Sequence, residues 1–314
     1  MARPLRPADL GLLLALGAVW GTAFMFISLG LESFSPVLLA ALRFDISGLT
    51  LLAVALALRR GQLVPRGRRQ WAAVGIAGLC NVAAYHGFLF WGQQFTTASI
   101  AAVIVGLNPV LTTAFSRALL EDERVGAAGL AGLGLGFGGI VLLASLKPGS
   151  LLDARGLGEL AVVAAIAAWA MGSVLVKRQK HGMDVFAFIA WHSFAGAAVL
   201  HVAALGLEGG GRATWDLPGL TSLFYLAVVS SGLGFIVYFT LLERIGPIRS
   251  NVVSYLAPVS ATVAAFVVLG QPFEARAGLA YALIAAGFWL IARPARAPAE
   301  MGKEAAVLDV EEAP

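Results

Sequence analysis

Two prolines, Pro109 and Pro258, stand 149 residues apart, each inside an apolar stretch of the sequence. A proline inside a helix has no backbone N–H to donate and leaves one carbonyl without its usual partner. Within a membrane, such a carbonyl is tolerated only where a neighbouring helix or a water-filled cavity satisfies it. Paired interrupted segments in corresponding halves of a chain are typical of a carrier's binding site. The two prolines therefore predict a hinge in each half, beside a site for a small molecule.

Polar and aromatic side chains within the apolar stretches are the candidates for contact with that molecule, because lipid would leave their polar groups unsatisfied. Helical spacing places Asn81, Tyr85 and Phe88 on one predicted stripe. Aromatic rings offer flat faces to aromatic or cationic ligands. The predicted substrate-contacting residues are Trp20, Arg43, Asn81, Tyr85, Asn108, Trp169, Ser173, His192, Tyr238, Asn251 and Tyr255.

Arg43 is the charged member of this set, and helix rise places it about 10 Å inside its apolar stretch. A charge at that depth is costly, so Arg43 is expected to face protein or water and to have a partner. Asp45 is two residues away and points in another direction, so the two are not expected to pair. Two interpretations stay open: contact with an anion, carboxylate or gating acid, and a structural arginine that bonds carbonyls at a helix end.

Three of the four histidines, His86, His192 and His201, lie in apolar stretches. Histidine titrates near neutral pH, so one of them could relay a proton coupled to transport, with His192 as the first candidate. The alternative is a histidine that only hydrogen-bonds a neighbouring helix. Neither the histidines nor the single cysteine, Cys80, have the spacing of metal ligands. The sequence thus predicts no metal, no cofactor and no catalytic residue.

The composition excludes a soluble globular domain. Charged residues make up 13% of the chain and hydrophobic residues 59%, with a mean hydropathy of +0.84. A soluble domain averages about 25% charged residues. The pI near 9.5 therefore does not indicate nucleic acid. The expected partners are the lipid bilayer and a small-molecule substrate.

Ten apolar runs are long enough to cross the bilayer core, which needs about 20 helical residues. The expected fold is an all-α polytopic membrane protein with ten transmembrane helices. The runs lie near residues 9–29, 36–58, 71–91, 97–119, 126–145, 156–177, 184–206, 218–241, 247–270 and 275–293.

Positive charges favour the cytoplasmic side of a membrane protein. If the N-terminus is cytoplasmic, most of the 22 Lys and Arg residues fall in loops and ends on that side. The opposite side then carries only Lys147, Arg155, Arg212 and Arg276. This bias predicts a cell (inner) membrane protein with both termini in the cytoplasm.

The offset of 149 residues relates the two halves without gaps, since it pairs Trp20 with Trp169 as well as Pro109 with Pro258. Each half holds five predicted spans, and an odd number makes the second half enter the membrane from the opposite side. The halves are therefore predicted to be inverted repeats. The predicted units are residues 1–150 and 151–296, followed by a disordered cytoplasmic tail over 297–314.

Short sequences in both halves carry a resemblance to a known family. They are Ala18-Val19-Trp20-Gly21, Leu42-Arg43-Phe44, Thr97-Ala98-Ser99, Leu107-Asn108-Pro109, Gly246-Pro247 and Ser254-Tyr255-Leu256-Ala257-Pro258. With them the chain resembles the EamA-type members of the drug/metabolite transporter superfamily. The resemblance implies ten-span carriers built from two repeats of five. It also implies a Glu thirteen residues after each proline, where this chain has Asp122 and Gln271, so the second repeat lacks that acid.

Together these features predict a secondary transporter that exports small metabolites, amino acids or amphipathic compounds by alternating access. Two alternatives stay open: an integral membrane enzyme acting on lipid-soluble substrates, and a non-transporting structural membrane protein. The short loops hold no cluster of acids and histidines, which disfavours the enzyme. No phosphate-binding loop of the ATPase type is present, so direct ATP drive is not expected. The sequence leaves open proton coupling or uniport, and a monomer or a homodimer.

Overall fold

The computed structural model describes residues 6–58, 61–96, 98–120, 126–144, 154–260 and 275–292. These residues form helices joined by short loops, with one isolated bridge between Phe34 and Ala213. The helices are α1 (Pro7–Ser33), α2 (Pro36–Ala57), α3 (Gly67–Gln93), α4 (Ala98–Val105), α5 (Asn108–Leu119), α6 (Ala127–Ala144), α7 (Ala154–Gln179), α8 (Val185–Glu208), α9 (Leu217–Asn251) and α10 (Ala275–Ala292). Residues 253–260 are helical as well.

Six of the described helices, α1, α2, α3, α7, α8 and α9, are long and apolar enough to cross a membrane. Two shorter apolar helices cover Ala127–Gly139 and Gly278–Ile291. Helix α9 joins two runs that the sequence separates, near 218–241 and 247–270. It is not one straight rod, because Gly246 has φ 81° and ψ 167° inside it. Glycine adopts such a positive φ without steric cost, so the chain changes direction there.

The interruption that Pro109 predicts is present. Helix α4 ends at Val105 and α5 begins at Asn108, which puts Pro109 in the first turn, where its missing N–H costs little. The second half differs. Its irregular positions are Gly246 and Val252, and Pro258 lies within the helical residues 253–260. The first half is thus interrupted next to Pro109, whereas the irregular positions of the second half precede Pro258 by at least six residues.

Two π-helical segments widen α3 and α9, over Ala77–Ala84 and Tyr225–Leu233. Under the 149-residue offset they coincide to within one residue, so they are corresponding features of the two halves. A π-helical turn shifts the side chains that follow it and is common at functional sites. The shift explains why the predicted stripe is wrong at Phe88, which is 47% exposed.

The N-termini of three helices are capped by carboxylates. Asp184 accepts hydrogen bonds from the first backbone N–H groups of α8. Asp216 does the same for α9, where the Ser33 hydroxyl and the Gly219 N–H both donate to it and hold its pKa below its usual range. At α2 the N-cap residue is Ser35, but its hydroxyl accepts from the Arg212 backbone N–H and does not cap the helix. Glu208 caps α2 in its place.

Glu208 reaches α2 from the end of α8, and its carboxylate accepts from Val37 N at 2.8 Å and Leu38 N at 3.1 Å. We expect Glu208→Ala to lower the free energy of unfolding by about 1 kcal/mol, because two helix N–H groups lose their acceptor. Thermal unfolding of the purified chain measures this. Glu32→Ala, at an exposed acid nearby, is the control. Equal melting temperatures for the two variants would contradict the assigned cap.

Helices α6 and α10 pack backbone to backbone through glycines. A Cβ added at Gly132 would lie 2.6 Å from the Gly287 carbonyl oxygen, and one added at Gly287 would lie 2.5 Å from that of Gly132. Gly136 and Gly139 are also closely covered, by the Tyr255 ring and by the Ala280 carbonyl oxygen, whereas Gly134 and Gly138 have no atom within 4 Å of such a Cβ. Small residues at this spacing let helices approach closely. The glycine pattern of α6 therefore serves packing on one face only.

Candidate functional site

A cavity of about 40 Å³ lies among the helices, with walls from both halves of the chain. That volume holds a few water molecules at most, since each needs roughly 10–15 Å³. Most of the lining residues are apolar or aromatic, and a few are polar. They are Trp20, Ala23, Phe24, Ile27, Arg43, Tyr85, His86, Leu89, Val105, Asn108, Trp169, Ser230, Phe235, Ser254 and Ala257.

Four aromatic residues that the sequence singles out pack together, three of them in the cavity wall and Tyr238 behind it. The rings of Trp20 and Trp169 pack edge to face, with centroids 5.5 Å apart and planes at 89°. Tyr238 contacts both, at 5.3 and 5.0 Å, and Tyr85 lies 4.8 Å from Trp169. Edge-to-face packing of this kind contributes beyond simple burial. Trp20 and Trp169, at equivalent positions in the two halves, thus form one aromatic cluster together with Tyr85 and Tyr238.

Hydrogen bonds fix the position of both tryptophans. The indole N–H of Trp20 donates to the Ser230 carbonyl at 3.1 Å, and that of Trp169 donates to Asn251 Oδ1 at 3.1 Å. Asn81 donates through Nδ2 to the Trp169 carbonyl at 3.0 Å. The rings are therefore held in place by polar contacts to neighbouring helices as well as by packing.

Asn251 is the centre of a buried network. Its Oδ1 accepts from the Tyr238 hydroxyl at 2.8 Å as well as from Trp169, and its Nδ2 donates to Thr112 Oγ1 at 2.8 Å. The Tyr238 hydroxyl in turn lies 2.6 Å from Ser173 Oγ. Three hydrogen bonds, two at Oδ1 and one from Nδ2, thus make Asn251 a rigid connector of α5, α7 and α9.

The network continues to the cavity wall. Thr112 donates to Asn108 Oδ1 at 3.0 Å, and Asn108 donates through Nδ2 to Ser254 Oγ at 3.1 Å. Asn108 opens α5 at the interruption of the first half, and Ser254 follows the irregular residue Val252 of the second half. The two interrupted segments are therefore tied to each other beside the cavity.

Arg43 enters the cavity wall from α2 and is 3% exposed. Its Nε donates to Ser231 Oγ at 2.6 Å and its Nη2 to Ser230 Oγ at 3.2 Å. The π-helical segment of α9 presents these two consecutive hydroxyls. Arg43 does not pair with Asp45, as expected, because Asp45 binds His201 Nε2 at 2.6 Å on another side of α2.

The predicted site residues divide into three groups. Trp20, Arg43, Tyr85, Asn108 and Trp169 line the cavity. A supporting group lies behind that wall and consists of Asn81, Ser173, His192, Tyr238 and Asn251. Tyr255 lies elsewhere.

Tyr255 does not line the cavity because its ring packs over Gly136 of α6. Its hydroxyl donates to the Leu133 carbonyl at 3.1 Å. Helix α6 accommodates Tyr255 in two ways. Gly136 leaves room for the ring, and the Leu133 carbonyl accepts a hydrogen bond from the hydroxyl.

His192 is fully buried, its Nδ1 donates to the Phe188 carbonyl at 2.9 Å, and its ring stacks on Phe235, whose ring reaches the cavity. A different histidine, His86, lines the cavity directly. Sequence reasoning also missed Ser230, Ser254 and Phe235. The adjacent serines at 230 and 231 were the available signal, but only the π-helical turn shows that both face Arg43.

Within the described part of the chain, no group of three or more His, Cys, Asp or Glu side chains could hold a metal ion. The positions of the two family acids, Asp122 and Gln271, lie outside the described residues. The site is a small cavity walled by aromatic rings with a few polar side chains among them.

The comparison with protein families gives this arrangement its context. The model of the EamA-like transporter family matches the chain twice, over residues 9–145 and 156–293. The chain belongs to the EamA-like transporter family. It is thereby a multi-pass membrane protein and a transporter of the drug/metabolite transporter superfamily, with an EamA match in each half.

Individual relatives of this EamA chain are also transporters by name. It is 28% identical over 261 residues to the uncharacterized transporter YvbV of Bacillus subtilis, covering 83% of this chain and 84% of that one. It is 29% identical over 255 residues to the uncharacterized inner membrane transporter YedA of Escherichia coli K12, covering 81% and 80%. A protein crystal structure shares the fold, with a TM-score of 0.75, 26% identity and coverage of 91% of this chain and 98% of that one.

Proposed function

We propose that this EamA chain is a secondary carrier that exports small metabolites, amino acids or amphipathic compounds across the inner membrane by alternating access. In this proposal the chain crosses the membrane ten times, as two inverted units at 1–150 and 151–296, with both termini and the tail at 297–314 in the cytoplasm. The name of YedA, an inner membrane transporter, supports the location. The distribution of Lys and Arg supports the orientation.

The observation that carries the proposal is the meeting of Trp20 and Trp169 at one cavity. Inverted repeats place a shared substrate site at the repeat interface, near the middle of the membrane. Residues at equivalent positions in two such repeats face each other at that site. The edge-to-face pair, 5.5 Å between centroids, has this arrangement.

Alternating access requires that the two units rock about the cavity. The interruption between α4 and α5 and the irregular positions Gly246 and Val252 supply places where helices bend, and Pro109 and Pro258 are the hinge residues of the proposal. Each end of the bundle has contacts that must separate. At one end Arg212 donates to the Leu31 and Glu32 carbonyls. At the other, Arg244 lies 3.6 Å from the buried carboxylate of Asp9.

The test begins with a metabolite screen. Extracellular pools are compared between cells that overproduce the chain and cells that lack it, and a compound raised by overproduction is taken into vesicles containing the purified chain. We expect saturable counterflow of the labelled compound, driven by unlabelled compound on the other side. Empty vesicles are the control. Counterflow absent for every compound found by the screen would contradict the proposal.

The same vesicles separate proton coupling from uniport. With coupling, a pH gradient drives uphill flux, and His192→Ala abolishes that drive while leaving counterflow. With uniport, the pH gradient drives no uphill flux and leaves counterflow unchanged.

A further inference from the structure

Arg43 has more donors than the described residues engage. A guanidinium carries five N–H groups. Among the described residues two of them are engaged, Nε by Ser231 and one N–H of Nη2 by Ser230. Both acceptors are neutral hydroxyls, so the hydrogen bonds position the guanidinium without balancing its charge.

The positive charge of Arg43 is also unbalanced. Within the described residues no carboxylate lies within ion-pair distance of it, and Asp45, its neighbour on α2, binds His201 instead. A buried charge without a counter-charge is costly in protein and in membrane. Hydrogen bonding to two serines does not require a cation. The position is suited to an anion that arrives from the cavity.

The surroundings of Arg43 restrict where such an anion would sit. The guanidinium lies over the rings of Phe44 and Phe90, at 5.2 and 5.7 Å, which limits its movement. Ser230 bonds Arg43 through its hydroxyl and Trp20 through its carbonyl. Ser230 therefore contacts both the Arg43 guanidinium and the Trp20 ring, so an anion bound to Arg43 would have aromatic rings beside it.

On the basis of the proposed function, we propose that the substrate is a monocarboxylate with a flat apolar body, its carboxylate on Arg43 and its body against Trp20 and Trp169. The planar fork of a guanidinium matches a carboxylate. Arg43 is the only Lys or Arg among the lining residues, so one negative charge is balanced and a phosphate dianion is not. Aromatic walls alone could hold a cation, but the guanidinium repels one.

The cavity of about 40 Å³ is too small for such a molecule, since sites for small ligands span roughly 300–1,000 Å³. The carboxylate therefore binds when the carrier opens and the Trp20–Trp169 contact separates. This gives the experiment an optical signal, because the two indoles change surroundings on binding.

The first test compares phenylpropionate, phenylpropanol and phenylpropylamine, which share a ring and a chain but are anionic, neutral and cationic. Each is titrated against the full chain in nanodiscs, with tryptophan fluorescence and thermal stability as readouts. We expect the acid to bind about tenfold or more tightly than the alcohol, the value of a charged hydrogen bond, and the amine to bind weakest. Equal or tighter binding of the alcohol or the amine overturns the proposal, as does the absence of binding by all three.

The second test uses variants. Arg43→Gln is expected to bind the acid as weakly as the alcohol, and Arg43→Lys, which keeps the charge without the fork, to lie between it and the native chain. Arg68→Gln, at an exposed arginine at the start of α3, is the control and should bind like the native chain. Acid binding that survives Arg43→Gln overturns the proposal. If Arg43→Gln does not fold, the ligand series on the native chain still decides.

The outcome is separable from that of the proposed function. Counterflow of a metabolite without preference for the acid would leave the carrier standing and remove only the assignment of its substrate class. Preferential binding of the acid without any counterflow would establish the anion site and contradict the carrier.

Discussion

Asn251→Leu is expected to lower counterflow in vesicles by about tenfold or more and to destabilise the chain by about 2–4 kcal/mol. Leucine has similar bulk but removes the acceptor of the Trp169 indole and Tyr238 hydroxyl, and the donor to Thr112. A buried donor left without an acceptor costs about 1–3 kcal/mol. Tyr238 keeps its contact with Ser173, so most of the cost falls on Trp169 and therefore on the cavity wall. Initial counterflow rate and melting temperature are the measurements.

Helix α5 offers a second test variant and a control for Asn251→Leu. Thr112→Val removes only the hydrogen bond from Asn251 Nδ2 and the link to Asn108, so counterflow and stability should fall by an intermediate amount. Ser116 lies one turn further on, and its buried hydroxyl has no hydrogen-bond partner among the described residues. Ser116→Ala should therefore leave both rate and stability unchanged. The network would have no part in holding the cavity if Asn251→Leu transported as fast as Ser116→Ala.

Gly132→Val is expected to prevent α6 from packing against α10, with a loss of folded protein on purification. The added Cβ would lie 2.6 Å from the Gly287 carbonyl oxygen and 2.9 Å from Leu290 Cβ, so the obstruction is backbone and cannot rotate away. Inserting atoms into a well-packed region costs about 1–3 kcal/mol even where side chains can move. The yield of monodisperse protein and its melting temperature measure the effect.

Gly134→Val supplies the control on the same helix. A Cβ at Gly134 meets no atom within 4 Å. A glycine within a helix costs roughly 0.5–1 kcal/mol relative to alanine because of its flexibility, and valine at position 134 removes that flexibility. This variant should fold as well as the native chain. If the two valine variants behave alike, the helices do not cross at Gly132.

The aromatic cluster could be predicted from the sequence because it depends on the repeat alone. The offset of 149 residues pairs Trp20 with Trp169, the predicted inversion of the halves places such a pair at one site, and the structure has the two rings 5.5 Å apart. The interruption near Pro109 was predictable for a similar reason, since the missing N–H of a proline is a local property. Both the tryptophan pairing and the proline interruption can be read from individual residues in the sequence.

Other features needed the geometry of the whole bundle. The π-helical turns have no single-residue signature, and they decide that Phe88 is exposed and that Ser230 and Ser231 both reach Arg43. Tyr255 has the polar-in-apolar pattern of a cavity residue. It packs over Gly136 because that glycine leaves a groove, and a one-dimensional pattern does not show which helix lies opposite.

Alternating access requires a cavity that opens in turn to the two sides of the membrane, and cysteine labelling tests this directly. Val105 lines the cavity at the end of α4 and is 6% exposed. The variant is Val105→Cys in a Cys80→Ala background, and it changes the side-chain volume at position 105 little. Ala40→Cys, buried on α2 away from the cavity, is the control. A membrane-impermeant thiol reagent should modify Val105→Cys in both right-side-out and inside-out vesicles and leave Ala40→Cys unmodified. Modification of Val105→Cys from one side only, or from neither, would contradict the account.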